Sequence, residues 1–385
     1  MWPDFSYILH DLLGTAPDNA FSVIKTFGLF LGLAFLASGY LLYLELKRKE
    51  AQGLIQGRIE NVVVYKPIDT NEILMQSAIN FVLFFKIGYI AQHFDQFKSD
   101  PAAVLFSTKG NLLLGITAFI LTAAWYFYKK SKQTQQEVIR KDVFIHPHER
   151  VFDITGVAAL FGLIGSKLFS VLENFDSFIK DPVGEFFSGS GLTIYGGLIL
   201  AFIMVYRYVD KKGIRPLHFI DAAAPTLMIG YCVGRMGCQF SGDGDWGIIN
   251  ELAKPSWFLF PDSWWAYSYP HNVLNEGVAI PDCSWKYCMQ LEPKVFPTPL
   301  YEVVLAGLIT GILWLMRTRI HRAGVLFFSY CIFNGLERFF IEFIRVNPRY
   351  NLLGFELSQA QIIALVVLLI GISGVAYYWK KNIRQ

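Results

Sequence analysis

The feature that most constrains this chain is a succession of apolar segments, each about as long as a membrane is thick. A helix needs about 20 mostly apolar residues to cross the hydrocarbon core of a bilayer. Nine segments of this kind occur, at residues 26–45, 73–93, 111–128, 151–172, 190–208, 217–236, 298–316, 323–343 and 360–379. Only 17% of the 385 residues are charged, fewer than in a typical soluble domain. The pattern predicts an all-α polytopic membrane protein with nine transmembrane helices.

Basic residues cluster after alternate segments, which predicts an orientation. The clusters contain Lys47, Arg48, Lys49, Arg58 and Lys66; Lys129, Lys130, Lys132, Arg140 and Lys141; Arg207, Lys211, Lys212 and Arg215; Arg317, Arg319 and Arg322; and Lys380, Lys381 and Arg384. Cytoplasmic connections carry an excess of lysine and arginine. The N-terminus is therefore predicted outside and the C-terminus in the cytoplasm. Residues 1–385 are predicted to form a single transmembrane catalytic domain, with an external loop region at 241–297.

Polar residues gather at the predicted outer ends of several segments. Arg235 lies close to Asp243 and Asp245 in a glycine-rich stretch. Glu302 enters the seventh segment, and a further glycine-rich stretch, 188–197, enters the fifth. If the helix of the eighth segment continues to residue 345, three residues spaced i, i+4 and i+7 near its end would share one face. These residues are Arg338, Glu342 and Arg345.

Three arginines at one membrane face can bind a phosphodiester, and nearby carboxylates can orient them or accept a proton. This favours an enzyme that acts on a phospholipid headgroup. Each residue also has a simpler interpretation: Arg235 could extend to lipid headgroups, and Glu302 could stabilise a helix N-terminus. A transporter or flippase for an anionic lipid is a further alternative. The sequence has no His-Glu-x-x-His, P-loop or Gly-x-Ser-x-Gly motif, and it predicts neither a metal site nor nucleic-acid binding.

Several motifs together resemble one known family. Gly-Arg-x-Gly at 234–237, followed by Gly242, Asp243 and Gly247, resembles the signature Gly-Arg-x-Gly-Asn-Phe-x-Asn-Gly-Glu-x-x-Gly of the prolipoprotein diacylglyceryl transferases. Other segments resemble further motifs of that family in the same order; these are Gly191–Gly197, Leu300–Glu302, Arg338–Arg345 and Ser358–Gln361. Segments 73–93 and 111–128 have no counterpart in the family's seven-helix core, so residues 70–130 are predicted to be an inserted helical hairpin.

The resemblance implies a reaction. Such an enzyme moves the sn-1,2-diacylglyceryl group of phosphatidylglycerol onto the thiol of a lipobox cysteine in a prolipoprotein that still carries its signal peptide. Glycerol 1-phosphate is released and no cofactor is needed. The implied partners are phosphatidylglycerol, the prolipoprotein and the lipid bilayer. The implied location is the bacterial inner membrane, with the active site facing the periplasm.

The resemblance also implies site residues. The catalytic residues would be Tyr195, Asp243, Glu302, Arg338 and Glu342. Binding of the lipid phosphate would involve Arg235, Arg338, Arg345, Gly234, Gly237, Gly242, Gly247 and Cys238. Tyr195 replaces a histidine of the family, Cys238 an asparagine and Asp243 a glutamate. The general base is therefore left open between Asp243 and Tyr195, and a catalytically impaired homologue that only binds lipid or preprotein is a second alternative. Cys238 is interpreted as a packed side chain rather than a nucleophile.

Two local patterns complete the expectations. Cys283 and Cys288 lie in the predicted external loop, where their spacing favours a disulfide over two free thiols. Residues 59–65 form a β-like run after the first basic cluster and predict a small ribbon.

Overall fold

Helices make up most of the computed structural model, which describes residues 1–99, 101–133, 138–182, 193–352 and 354–381. Helices α1 to α14 are Phe5–Leu13, Thr26–Ala51, Thr70–Gln92, Phe94–Ser99, Pro101–Phe106, Leu112–Lys132, Val151–Glu173, Phe175–Lys180, Ile194–Lys211, Pro216–Ser241, Asp262–Trp265, Thr298–Met316, Val325–Ile341 and Gln359–Lys380. Three 3-10 turns cover Ala20–Val23, Pro147–Arg150 and Glu342–Ile344. Strands β1 to β6 are Arg58–Tyr65, Ile139–Ile145, Val278–Ala279, Met289–Gln290, Arg349–Leu352 and Phe355–Ser358.

Seven helices within the described residues are long and apolar enough to cross a membrane. They are α2, α3, α6, α7 with the turn before it, α10, α12 and α14. This agrees with the predicted all-α polytopic class. The predicted segments 190–208 and 323–343 coincide with α9 and α13, which have 18 and 17 residues and carry charged residues in their last turns. The count of nine spans and the orientation of the termini stay predictions.

The chain forms two compact units. The first comprises residues 1–56, 147–155 and 206–385, and the second comprises residues 57–146 and 156–205. In the first unit, α10 packs against α2, α12 and α13, and α13 packs against α14. Ala224, Met228 and Cys232 of α10 are spaced four residues apart and therefore form one stripe. This stripe is buried in a core with Ala306 and Leu313 of α12.

The second unit contains α3 and α6, which pack together, and the ribbon of β1 and β2. The strand predicted at 59–65 is confirmed, and it pairs antiparallel with β2 from Arg58 opposite Ile145 to Tyr65 opposite Ile139. Lys86 of α3 donates to the carbonyl oxygens of Val104 (3.1 Å) and Lys109 (3.0 Å). A charged side chain within an apolar helix is thereby given polar partners.

The disulfide between Cys283 and Cys288 is confirmed, and their Cα atoms lie 5.6 Å apart. The other three cysteines, Cys232, Cys238 and Cys331, are free and buried. We expect denatured, unreduced protein to take up alkylating reagent at these three cysteines, and reduced protein at all five. Peptide mass spectrometry would measure this, and alkylation of Cys283 without a reductant would contradict the pairing.

Candidate active site

Glu302, the fifth residue of α12, is the centre of a cluster of charged side chains in the first unit. Its side chain is fully buried, at 0% exposure. Its carboxylate accepts hydrogen bonds from Arg338 (3.0 Å), Arg345 (3.3 and 3.4 Å) and the Tyr231 hydroxyl (3.0 Å). Arg235 Nε lies 3.0 Å from its second oxygen. The three arginines predicted to bind phosphate are therefore brought together on one carboxylate.

A second buried carboxylate, Glu342, pairs with two of these three arginines. It lies 3.2 Å from Arg338 and 3.8 Å from Arg345. The prediction of one continuous helix face is wrong in one detail. Helix α13 ends at Ile341, residues 342–344 form a 3-10 turn, and Arg345 has extended backbone. The tighter turn still lets Arg345 reach both carboxylates.

Glu342 also connects the cluster to α14. Ser358 Oγ donates to Glu342 Oε1 at 3.0 Å. The same hydroxyl accepts the Gln361 backbone N–H (3.2 Å), and the Gln361 side chain accepts the Ser358 N–H (3.0 Å). This is a capping box that begins α14. The Ser-x-x-Gln pattern at 358–361 therefore has a structural role that fixes the hydroxyl against Glu342.

Asp245 supplies the third carboxylate of the cluster from the loop after α10. It accepts a hydrogen bond from Arg345 (2.5 Å) and forms an ion pair with Arg235. Burial alone would raise the pKa of this carboxyl, but the Arg235 and Arg345 guanidiniums outweigh burial and hold the pKa at about 2. Asp245 is therefore ionised at any physiological pH.

Two glycines of the signature position this loop. Gly242 ends α10 in the left-handed region (φ 63°), and its N–H donates to the Cys238 carbonyl oxygen at 3.0 Å. Gly247 forms a backbone bridge to Arg345, and a Cβ at this position would collide with the Ile344 carbonyl oxygen. Because only glycine fits both positions, the turn and the close approach bring Asp245 beside the arginines.

The cluster is close to electrically balanced. Arg235, Arg338 and Arg345 are paired with Glu302, Glu342 and Asp245, an arrangement that lets buried charges persist. The three guanidiniums are not equally accessible, since Arg338 is 21% exposed, Arg235 11% and Arg345 9%. Among the carboxylates, Asp245 is 32% exposed and the two glutamates are buried. An incoming anion would therefore first reach the side of the cluster on which Arg338 and Asp245 are exposed.

Cys238 and Asp243 lie beside this cluster. A carboxylate oxygen of each of Asp243 and Asp245 lies within 4.8 Å of Cys238 Sγ, and Arg235 lies 3.7 Å from that sulfur. Burial and the neighbouring Asp245 charge raise the pKa of Asp243. Asp243 Oδ1 is buried with no hydrogen-bond partner among the described residues. The three side chains could coordinate a metal, but Asp245 is already bound by two arginines whose charge repels a cation.

The remaining predicted site residues are two glycines of α10 and Tyr195. Gly234 and Gly237 are on α10, where Gly237 lies against Phe30 of α2. Tyr195 is in the second unit, near the start of α9. Gly191, at the start of the predicted glycine-rich motif, lies outside the described residues. The role of Tyr195 stays a prediction.

Three residues absent from the predicted site belong to the cluster or lie beside it. Tyr231 precedes Arg235 by four residues on α10, so helical spacing was the signal for its position. Asp245 lies two residues after Asp243, and the stretch from Gly242 to Gly247 is one residue longer than in the family signature, so the sequence does not indicate which aspartate reaches the arginines. Glu337 lies within electrostatic reach of Glu302 and Arg338, and both its carboxylate oxygens are buried without a partner in the described ranges.

Comparison with known proteins adds to this geometry. A family model described as prolipoprotein diacylglyceryl transferase matches residues 112–377. This is more than half of the 385-residue chain. The chain belongs to the prolipoprotein diacylglyceryl transferase family. Together with the seven apolar helices, membership in this family identifies the protein as a transferase and a multi-pass membrane protein.

Three bacterial proteins named phosphatidylglycerol–prolipoprotein diacylglyceryl transferase are similar to the chain. The Lysinibacillus sphaericus protein is 28% identical over 247 residues, which cover 63% of this chain and 81% of the relative. The Clostridium tetani protein is 28% identical over 273 residues, 70% of this chain and 94% of the relative. A Leptospira interrogans protein is 24% identical over 314 residues, 68% of this chain and 87% of the relative. The similarity therefore extends over most of each relative.

Proposed function

We propose that this protein transfers the sn-1,2-diacylglyceryl group of phosphatidylglycerol to the cysteine thiol of a prolipoprotein lipobox and releases glycerol 1-phosphate. The observation that carries the proposal is the convergence of Arg235, Arg338 and Arg345 on Glu302. Arginine binds phosphate through two parallel N–H donors, so oriented guanidiniums suit a phosphodiester. The names of the relatives supply the acceptor and the transferred group.

The lipid phosphate is proposed to bind at the accessible edge of the cluster. Arg338 and Arg235 are the more exposed arginines, and the buried carboxylates of Glu302 and Glu342 fix their guanidiniums. Asp245, which pairs with Arg235 and Arg345, is the most exposed of the three carboxylates in the cluster. A phosphodiester can therefore compete with Asp245 for Arg235 while the two glutamates stay in place.

The bond changes follow from the products. The thiolate sulfur of the lipobox cysteine attacks the glyceryl carbon that carries the phosphate. A carbon–sulfur bond forms as the carbon–oxygen bond breaks, and the electron pair of that bond passes to the phosphate oxygen. Negative charge therefore grows on the leaving glycerol phosphate, where Arg235 and Arg338 stabilise it in the transition state. The thiol proton goes to a general base.

Asp243 is the general base that the geometry supports best, and Tyr195 is the alternative. The unpartnered buried oxygen of Asp243 can accept a proton, and burial raises the pKa of this carboxyl towards the range useful for proton transfer. Only the ionised carboxylate can act, so activity rises as pH increases through this raised pKa.

We expect Asp243→Asn to lower kcat by about a hundredfold or more at neutral pH, the contribution of a positioned base. The residual rate should increase with pH as more lipobox thiol ionises, since a free thiol has a pKa of about 8.5. The pH profile of glycerol phosphate release measures both effects. Tyr195→Phe is the matched variant, and a larger loss there than in Asp243→Asn would transfer the role to Tyr195.

Cys238 is proposed to act as a packed side chain beside Arg235 and not as a nucleophile. We expect Cys238→Ser to retain transfer activity within about threefold, because serine has similar volume and can also donate to Asp243. Intact-protein mass spectrometry during turnover should find no diacylglyceryl adduct on the enzyme. A diacylglyceryl adduct on Cys238 would show covalent catalysis, as would an adduct that disappears, together with all activity, in the serine variant.

The membrane context is part of the proposal. The alternating basic clusters support a location outside the cytoplasm for the loop that carries Asp243 and Asp245. The protein would then work in the bacterial inner membrane, with phosphatidylglycerol and the prolipoprotein signal peptide reaching the site from the bilayer. Cysteine labelling from each side of the membrane measures this orientation. Two variants that are otherwise not labelled each carry one introduced cysteine, at the exposed position of Glu251 or at that of Arg319.

The experiment that tests the function uses purified protein, phosphatidylglycerol and a lipobox peptide. We expect glycerol phosphate release that depends on the peptide cysteine, and a peptide mass increased by one diacylglyceryl group. A peptide with serine in place of that cysteine is the control. Lipid binding without release would instead indicate a homologue that binds lipid or preprotein only.

A further inference from the structure

A polar cavity of about 220 Å³ lies in the first unit, at the opposite end of α2, α10 and α12 from the arginine cluster. Four basic side chains line it, namely Arg48, Lys49, Arg317 and Arg322. Asp221 of α10 also lines it, and about 20 Å of helix separates Asp221 from Arg235 at 1.5 Å per residue. This cavity is therefore a separate place in the molecule from the proposed active site.

The cavity carries an excess of positive charge. Glu45 is fully buried beside it and forms ion pairs with Arg48 (2.8 Å) and Arg317 (2.5 Å). Asp221 accepts hydrogen bonds from the backbone N–H groups of Gly324 (2.7 Å) and Phe327 (2.9 Å), which begin α13. Both carboxylates are thus engaged in holding the helices, and four cations face two anions.

Lys49 is the basic side chain of the cavity with the least compensation from protein groups. Its side chain lines the cavity and is only 5% exposed. It makes no hydrogen bond or ion pair with the described residues, although Asp221 attracts it at longer range. Arg317 Nε is also buried with no acceptor among those residues. A charged donor on a largely buried side chain is costly without a partner, so the Lys49 ammonium that lines the cavity and the buried Arg317 Nε both favour a bound anion.

Tryptophan rings lie beside two of the basic side chains of the cavity. The Arg317 guanidinium lies 3.4 Å from the centre of the Trp314 ring, and Arg322 lies 4.7 Å from that of Trp379. Tryptophan is enriched at membrane–water interfaces, and basic residues attract the anionic phosphates found there. The cavity is smaller than a typical site for a drug-sized ligand but has room for a phosphate group.

We propose that this cavity binds the phosphate group of an anionic phospholipid from the leaflet opposite the active site, or free phosphate, with Lys49 and Arg317 as its principal donors. The site is independent of the proposed transfer reaction. A bound anionic lipid would connect the ends of α2, α10 and α12. Arg235 lies near the other end of α10, and Glu302 lies near the other end of α12.

The test uses the full-length protein in a neutral detergent with two probes. Inorganic phosphate is titrated by calorimetry, and retained phosphatidylserine is counted by native mass spectrometry against phosphatidylcholine. Lys49→Gln removes the unpaired cation, and Arg319→Gln is the matched control, since Arg319 is exposed and does not line the cavity. All of these measurements are repeated in an Arg235→Gln background, which disables the proposed active site.

We expect binding of at least one probe, weakened about tenfold or more by Lys49→Gln, as for the loss of one charge-assisted contact. Arg319→Gln should bind as the wild type does, and the effect of Lys49→Gln should persist in the Arg235→Gln background. Binding of phosphate alone identifies free phosphate as the ligand, and selective retention of phosphatidylserine identifies a lipid. Without anion, Lys49→Gln should unfold at the same or a higher temperature, because it removes an unpaired buried charge.

Three results would overturn the proposal. One is that neither probe binds the Arg235→Gln protein. Another is that Lys49→Gln binds both probes as well as its parent does. The third is that Lys49→Gln lowers the unfolding temperature in the absence of anion, which would assign Lys49 a purely structural role.

Discussion

Replacing Arg338 with alanine is expected to lower the kcat of diacylglyceryl transfer by about a hundred- to a thousandfold, the usual effect of removing one donor that stabilises transition-state charge. Arg338 is the most exposed of the three clustered arginines, and Glu302 and Glu342 fix its guanidinium. It is therefore positioned to meet the lipid phosphate. Peptide-dependent release of glycerol phosphate at saturating lipid measures the change.

Two further variants separate catalysis from folding. Arg338→Lys keeps the charge but loses the two-pronged donor, so we expect intermediate activity. Arg349→Ala removes an exposed arginine outside the cluster and should leave activity within about twofold, as for most surface substitutions. If Arg338→Ala and Arg349→Ala both released glycerol phosphate at the wild-type rate, Arg338 would have no part in binding the phosphate.

Replacing Glu302 with alanine is expected to have the largest effect on stability. Glu302 is fully buried and contacts Arg235, Arg338 and Arg345. Its removal leaves three guanidiniums short of a partner, and breaking a buried ion pair in this way costs about 3–5 kcal/mol. Thermal unfolding in detergent, followed by circular dichroism, should show a large decrease in melting temperature.

The controls for Glu302 distinguish charge from shape. Glu302→Gln retains a hydrogen-bond acceptor of similar size but removes the negative charge, so we expect a smaller loss of stability and a strong loss of activity. Glu251→Gln changes an exposed carboxylate, and its melting temperature should match that of the wild type. Equal melting temperatures for Glu302→Ala and the wild type would contradict the central position given to Glu302.

The sequence allowed the main charged residues of the site to be predicted because each occupies the end of an apolar segment. Charge at such a position is costly without a partner, which singled out Arg235, Glu302 and Arg338. Apolar segments do not reveal which neighbours they pack against. The convergence of three arginines on one buried carboxylate therefore required the packing of α10 against α12 and α13.

Other features depend on backbone detail that spacing does not encode. The 3-10 turn at 342–344 changes the direction of Arg345, and the loop from Gly242 to Gly247 decides that Asp245 pairs with the arginines while Asp243 keeps an unpartnered oxygen. Strand β1 was predictable from its β-like run. Its partner β2 begins 74 residues after β1 ends, which local patterns do not reveal.

A transporter for an anionic lipid is the main alternative that uses the same arginines. It would need charged groups near the middle of the membrane and broken helices in two matching halves. The clustered arginines instead lie at the end of α10 and at or beyond the last turn of α13. Their carboxylate partners hold them in fixed orientations, which suits a site for chemistry better than a pathway.

The most direct test of the proposed reaction follows the oxygen atoms of the phosphate. Purified protein is incubated with phosphatidylglycerol and a lipobox peptide in water enriched in oxygen-18, and both products are weighed by mass spectrometry. We expect a peptide that has gained one diacylglyceryl group and glycerol phosphate that contains no oxygen-18, because sulfur attack breaks the carbon–oxygen bond and leaves every phosphate oxygen from the lipid. Glycerol phosphate that carries oxygen-18, or a peptide that has gained only an acyl chain, would contradict diacylglyceryl transfer.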